Sequence, residues 1–429
     1  MGEPRTTGQW GSLSADELPD PPHLTAGQPF APQSSGDYGP FGVFPGAPSV
    51  AWVRHGEGLV GWGVAAKETF SGEERFSRAQ RWLQEMIAER GWQQESPIAF
   101  ASFTFDDESP GSVVVIPQLL LALRGGRAWL TTMEEGARAD QLLAGADATT
   151  TAQRVTWDED VAESAQWARS VAEAVKRIET AEIDKVVLAR EVEAHFGRPV
   201  DTKPVLAALA QRYPECWTFH VEGLLGATPE LLVRRFEDEV SSRVLAGTVR
   251  SAQTVTDNER SARALRGSVK DLSEHEYAVR SVAHALAAHC TDLEVADRPS
   301  VLSLANVQHL ATDIRGRVVD GASALALAAT LHPTAAVCGT PTERAMAVIA
   351  DLETINRGRY SGPVGWFDAS GNGEFGIALR CAQLADDARS ARLFAGCGLV
   401  VDSDPAAELA ESNAKLDAMR TVLSAQSGA

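Results

Sequence analysis

Lys185 opens the run Asp184-Lys-Val-Val-Leu-Ala-Arg190. Side chains alternate between the two faces of a strand, so Lys185 shares its face with Val187 and Ala189. An amine among apolar side chains has its charged form disfavoured, which suits it to act as a base. The plainer reading of the same run is a strand-end lysine that snorkels into water. Glu230 follows Gly226-Ala-Thr-Pro229 and lies between the apolar runs VEGLLGA and LLV. Buried there, a carboxyl keeps its proton to unusually high pH and can serve as a general acid; in a turn facing water it is an ordinary carboxylate.

Two acidic pairs follow. Asp271 and Glu274 stand three residues apart on a helical pattern, and so do Glu408 and Glu411, with Lys415 one turn further on. If the two helices face each other, they assemble the hard oxygen ligands that Mg²⁺ takes, with substrate and water completing its shell; otherwise these are solvated helix faces. Gly396-Cys397-Gly398 interrupts the strand ARLFAGCGLVVD. Glycine inside a strand marks either a bulge or the close approach of a ligand or backbone, and N–H groups exposed there can hold a carboxylate. It is not a dinucleotide fingerprint, because no third glycine follows at the required spacing. Arg380 ends EFGIALR with a fork suited to a carboxylate or to a surface ion pair. His309, in VQHLATDIRG, is either a donor to a substrate hydroxyl or a satisfied core histidine.

The elements that must position these residues read as follows. SVAWVR, GLVGWGVA, PIAFASFTF and SVVVIPQLLLAL are strands by their β-branched and aromatic content. SGEERFSRAQRWLQEMIAERG is an amphipathic helix ended by Gly91, and VAESAQWARSVAEAVKRIET is a second helix. DKVVLAREVEAHF and WTFHVEGLLGATPELLVRRFED are strand-like, and residues 257–290 read as one long helix opened by Asp257. YSGPVGWFDASGNGEFGIALRCAQL is a hairpin turning at 370–373. DPAAELAESNAKLDAMRTVLSAQ is a closing helix with Asp404 as cap and Pro405 at its first position. Strands and helices mix without strict βαβ alternation, so the expected class is α+β, with large sheets and outer helices. Residues 1–45, rich in Pro, Gly, Ser and Asp, are expected to be a flexible tail with one ordered turn at most.

Taken together these residues resemble one family, the chorismate-binding enzymes. The segments that carry the likeness are DKVVLAR, GATPELL, LAGTVR, SVKDLSEHE, HLATDIRG, LHPTAAVCGTP, RGRYSGPVGWFD, GEFGIALRCA and AGCGLVVDSDPAAELAESNAK, in this order between about 175 and 420. The resemblance implies a single α/β domain over 46–425, with a motif-bearing part at 175–420, a less diagnostic part at 46–170, and stacked, mostly antiparallel sheets. It implies that Lys185 activates water and Glu230 acts as general acid. Glu274 and Glu411 would be Mg²⁺ ligands backed by Asp271 and Glu408. Gly247, Thr248, His309, Ala336, Tyr360, Arg380, Gly396, Gly398 and Lys415 would line the chorismate site. A lysine base fits the water-adding branch better than the amine-adding anthranilate and aminodeoxychorismate synthases. Ala336 stands where pyruvate-eliminating relatives often have Thr, so isochorismate is the expected product and salicylate the alternative.

Composition agrees with a handler of small molecules. The chain of 429 residues carries 58 acidic and 39 basic residues, a net charge of −19, with no basic stripe for nucleic acid. No apolar run approaches the roughly 20 residues that span a bilayer, and the N-terminus has no basic start or apolar core of a secretory signal. The five cysteines form no C-x-x-C and read as buried free thiols of a reducing cytosol. No coiled-coil pattern appears, and a monomer is expected.

Overall fold

The computed structural model describes residues 28–30, 36–44, 46–92, 97–133, 154–158, 161–252 and 254–425. Among them, twelve strands make one sheet and ten make another, and all the neighbouring pairs are antiparallel. Apolar runs with no polar alternation are what strands covered on both faces require, and the side-chain period of two sorts them. In the twelve-stranded sheet Val50 and Trp52 point between the sheets, while Ala51 and Val53 pack with Leu206 and Leu209 of the helix Thr202–Arg212. In the ten-stranded sheet Phe100, Val113 and Val115 meet them from the other side. There Ala99, Ala101, Val114 and Ile116 face outward onto Leu83 of the helix Arg75–Arg90 and Leu325 of the helix Ala324–Leu331. The order is therefore helices, sheet, sheet, helices, as the α+β expectation has it.

Three apolar runs that look continuous in sequence change sheets midway. Ser112–Ile116 belongs to the ten-stranded sheet and Leu119–Arg124 to the other, with Pro117 at the bend. Trp217–Val221 and Leu224–Thr228 form a hairpin in the twelve-stranded sheet, and the chain then crosses at Pro229-Glu230 to Leu231–Phe236 in the other. It crosses back at Ala378–Arg380, between Gly373–Ile377 and Cys381–Leu384. These last two crossings are tied together: Ile377 N donates to Glu230 O at 3.2 Å, and Ala227 N donates to Arg380 O at 3.2 Å. Gly226 lets them approach, since a Cβ there would lie 2.6 Å from Arg380 O.

Two expectations are corrected. The single long helix is two, Val255–Gly267 and Val269–Leu286, because Ser268 leaves helical geometry and its hydroxyl caps the second by accepting from Asp271 N at 3.2 Å. The first is capped not by Asp257 but by Thr254, whose hydroxyl accepts from Asp257 N. Of the expected tail, residues 1–27, 31–35 and 45 lie outside the described residues. Gln28–Phe30, however, is an edge strand, and Phe41 and Phe44 are buried, Phe44 edge-on to Trp62 at 4.9 Å, because the sheet face there needs aromatic cover. Asp404 and Gly91 cap their helices as expected.

Phe100 has no exposed surface between the sheets. Phe100→Ala is expected to lower stability by about 3–5 kcal/mol, read as a lower urea midpoint at unchanged slope.

Candidate active site

The strand Lys185–Phe196 carries the first functional residue. One edge pairs along its length with the strand Ser390–Leu399, in a register that sets Val187 opposite Gly398 and Ala189 opposite Gly396. Val186 and Leu188 pack into the helix-covered core, so Lys185 and Val187 take the other face. Lys185 has no exposed surface, which excludes the snorkelling arrangement. Its Nζ lies 3.4 Å from Glu274 Oε1 and makes no hydrogen bond of good geometry among the described residues. Gly398 makes that approach possible: a Cβ there would sit 2.0 Å from Glu274 Oε1 and 3.1 Å from Lys185 Cε. Gly396 likewise lies under the Tyr360 hydroxyl, 3.2 Å from where its Cβ would be.

Glu230 and Arg380 sit on the two tied crossings. Glu230 is 3% exposed, and burial pushes its carboxyl up to about 8, although a backbone hydrogen bond from Leu245 and the charges of Lys185, Arg380 and Lys415 pull the other way. Arg380 takes a left-handed backbone conformation, φ 49°, which aims its fork inward. Its Nη2 donates to His309 Nε2 at 2.9 Å, and its buried Nε–H has no partner among the described residues. Arginine only donates, so His309 Nε2 accepts, and the proton is on Nδ1, which donates to Thr248 Oγ1 at 3.1 Å. Burial, then Arg380 and Lys415, hold the imidazole well below its ordinary range, in keeping with a neutral ring. Of the two readings that His309 offered, the bonds here are those of the satisfied histidine: both ring nitrogens are engaged, one of them with Arg380. Thr248 is turned toward His309 by a bulge at Gly247, whose φ is +76° and whose Cβ would lie 3.0 Å from Asp271 Cβ.

The helices Val269–Leu286 and Pro405–Ala425 bring the acidic pairs to this end of the sheets. Lys415 Nζ lies 2.6 Å from Glu411 Oε1 and donates to Gly396 O at 2.8 Å. Burial is the largest single influence and opposes its charge, but Glu411 and Cys397 together hold the amine above its ordinary range. Glu408 is 2% exposed; burial, then Glu411, raise its carboxyl, and Lys270 Nζ donates to it at 2.6 Å. Lys270 is opposed by burial, yet Glu408, Glu274 and Glu411 together raise it, so one amine faces three carboxylates. Sequence reading passed over it, since a lysine in a first helical turn is usually solvated. Ligand atoms of Cys397, Glu408 and Glu411 lie within 4.8 Å of one another. Burial keeps the Cys397 thiol well above its ordinary range, so the donors available are carboxylate oxygens, which fit a hard divalent cation and not a thiolate-seeking metal.

One cavity, open on one side, is lined by Glu230, Gly247, Thr248, Glu274, His309, Ala336, Tyr360, Arg380, Gly396, Gly398 and Lys415. Lys185, Asp271, Glu408 and Glu411 stand behind its wall, Lys185 touching it through Glu274 and Gly398. Val187, Leu245, Val337, Ser361 and Leu379 also line it; as apolar or loop residues they carried no chemical signal in the sequence. Two cationic side chains, Arg380 and Lys415, and a protonated carboxyl around one cavity suit an anionic ligand such as a carboxylate.

Glu230 makes a stability prediction that needs no substrate. Between its ordinary value of 4.5 and the folded value of about 8, the unfolded chain has released this proton and the native chain has not. Rising pH therefore favours the unfolded chain across that window. Glu230→Gln removes the effect and is expected to be more stable than the parent at pH 8, on the order of a few kcal/mol. The advantage should vanish toward pH 4.5, as checked by urea unfolding at both pH values.

The family model described as chorismate binding enzyme matches residues 50–424. The isochorismate synthase MenF of Bacillus subtilis is 33% identical over 385 residues, which are 83% of this chain and 81% of that protein. The isochorismate synthase DhbC of the same organism is 39% identical over 271 residues, 60% of this chain and 68% of its own. The solved structure of MenF, the menaquinone-specific isochorismate synthase from Escherichia coli, superposes with a TM-score of 0.75 at 27% identity, covering 92% of this chain and 93% of that one. With the family model spanning both sheets and the whole cavity, this chain belongs to the chorismate-binding enzymes.

Proposed function

We propose that this chain is an isochorismate synthase that binds chorismate in the cavity between the two crossings, over 46–425 as one domain. The observation that carries the reading is a carboxyl held protonated to about 8, Glu230, on the cavity wall, with a fully buried amine, Lys185, just behind that wall at Glu274 and Gly398. The free Nε–H of Arg380, the Tyr360 hydroxyl and the backbone at Gly396 are placed to hold carboxylates of chorismate. Lys185 removes a proton from water as the water adds to the ring. Glu230 gives its proton to the departing hydroxyl, and the ring double bonds shift between the two carbons. Water gained and water lost balance, so the product is an isomer of the substrate. Glu274 and Glu411, with Glu408 and Asp271 behind them, are the residues that would hold Mg²⁺, which neutralises a substrate carboxylate when bound.

A base for water would be unneeded if ammonia were the nucleophile, and Ala336 leaves no hydroxyl on the wall where pyruvate loss would be assisted. Relatives are named as menaquinone-specific and as vibriobactin-specific isochorismate synthases, and the product is common to both names. The buried free cysteines suit a reducing cytosol, no helix of the described residues is long and apolar enough to cross a membrane, and we take the working unit as a monomer.

Purified protein with chorismate and Mg²⁺ is expected to form isochorismate alone; salicylate with pyruvate, or an amine-bearing product with ammonia, would overturn the assignment. Lys185→Ala and Glu230→Gln are each expected to lower kcat about 10²–10⁴-fold, and near-normal turnover by either contradicts the roles given. Because Glu230 works protonated, kcat should fall as pH rises through about 8. Chelation of divalent cations should abolish turnover and Mg²⁺ restore it. In Gly398→Ala the added methyl meets the end of a flexible side chain, Glu274, and not backbone. The expected result is a thermal midpoint close to the parent's with kcat/KM down about tenfold or more.

A further inference from the structure

One edge of the lysine strand is incomplete. Lys185 and Val186 pair there with Gly339 and Thr340, and Glu193–Phe196 pairs with Val155–Asp158, but between them no strand runs among the described residues. Side chains fill the gap. Glu353 Oε1 accepts from Ala189 N at 2.7 Å, Arg357 Nη2 donates to Val187 O at 2.8 Å, and Trp167 Nε1 donates to Ala189 O at 3.0 Å. The same guanidinium donates through Nη1 to Val337 O at 2.8 Å and through Nε to Glu353 Oε2 at 2.9 Å. It lies flat over the Phe105 ring at 4.1 Å, and Arg357 O accepts from Tyr360 N at 3.0 Å. Both ionic side chains are almost wholly buried, at 2% and 4% exposure.

Val187 and Val337 both line the cavity, from segments far apart in the chain, and Lys185 is two residues from Val187 on the same face. We propose that Glu353 and Arg357 are a positioning pair for the reaction: they complete the open strand edge and fix the spacing between the lysine strand and the Ala336-Val337 wall. Neither touches substrate. A planar fork is needed, because it must reach two carbonyls and one carboxylate at once; an ammonium in the same place cannot span all three. Loss of the bridge lets Lys185 drift relative to a substrate held from the other side by Arg380. Small displacements of that kind tell on the chemical step more than on binding.

The inference rests on the proposed reaction for its readout, and whatever product the parent enzyme forms from chorismate is the reference. A parent with another product changes the functional reading and leaves the pair standing; a parent inert toward chorismate sinks both. Arg357→Lys keeps the charge beside Glu353. The double variant Arg357→Met with Glu353→Met removes both charges and keeps buried volume, an exchange that folds tend to tolerate. Each is assayed at saturating Mg²⁺ for kcat and KM, with a thermal melt to establish folding. The expected result for folded variants is kcat lower by about tenfold or more with KM changed less than about threefold. A folded variant with kcat within about twofold of the parent, or with only KM raised, overturns the proposal. Failure of both variants to fold also overturns it, since the pair would then serve folding and not position.

Discussion

A lysine amine with no exposed surface, 3.4 Å from one carboxylate and with no well-directed hydrogen bond, sets the terms for everything around it. Burying such a group is unfavourable unless its surroundings are fixed. Here they are fixed by a strand paired along one edge, by the glycine at 398 that lets Glu274 approach it, and by side chains standing in for a strand on the other edge. Burial at the same end of the sheets keeps the proton on Glu230.

The two sheets also explain why the polar residues of the cavity lie where they do. Strands buried on both faces have little room for polar side chains, so chemistry collects where the chain leaves one sheet for the other. Glu230 and Arg380 occupy two such crossings, hydrogen-bonded to each other, and Gly247 bulges the neighbouring strand so that Thr248 meets His309. The helices contribute charge from outside: Glu274 from one, Glu411 and Lys415 from the other, with Lys270 balancing the acids. The arrangement resembles that of the family to which the chain belongs in fold, while its electrostatics follow from its own residues.

Much of this was legible in the sequence, for reasons that are local. The two-residue period put Lys185 on a face with Val187, and the apolar flanks of Glu230 pointed to burial. Caps at Asp404 and Gly91 carried their own signals, and the order of nine segments carried the family. What the sequence hid depends on distant partners. An unbroken apolar run past Pro117 or Glu230 reads as one strand, because nothing local says which sheet receives it. His309 reads equally as a substrate donor or a satisfied core histidine until Arg380, far along the chain, engages its acceptor nitrogen. Lys270 reads as solvated until Glu408 arrives from the closing helix. The i,i+4 spacing of Glu353 and Arg357 is visible, but their bonds to the lysine strand span more than 160 residues.

On the proposed reaction, water enters from the Lys185 side as the original hydroxyl leaves by way of Glu230. A single turnover of chorismate in H₂¹⁸O, with the product examined by mass spectrometry, tests it directly. Isochorismate carrying one ¹⁸O in its ring hydroxyl is the predicted result. Isochorismate that keeps the substrate's own oxygen would contradict the account, because the hydroxyl would then have migrated without the water that Lys185 is placed to activate.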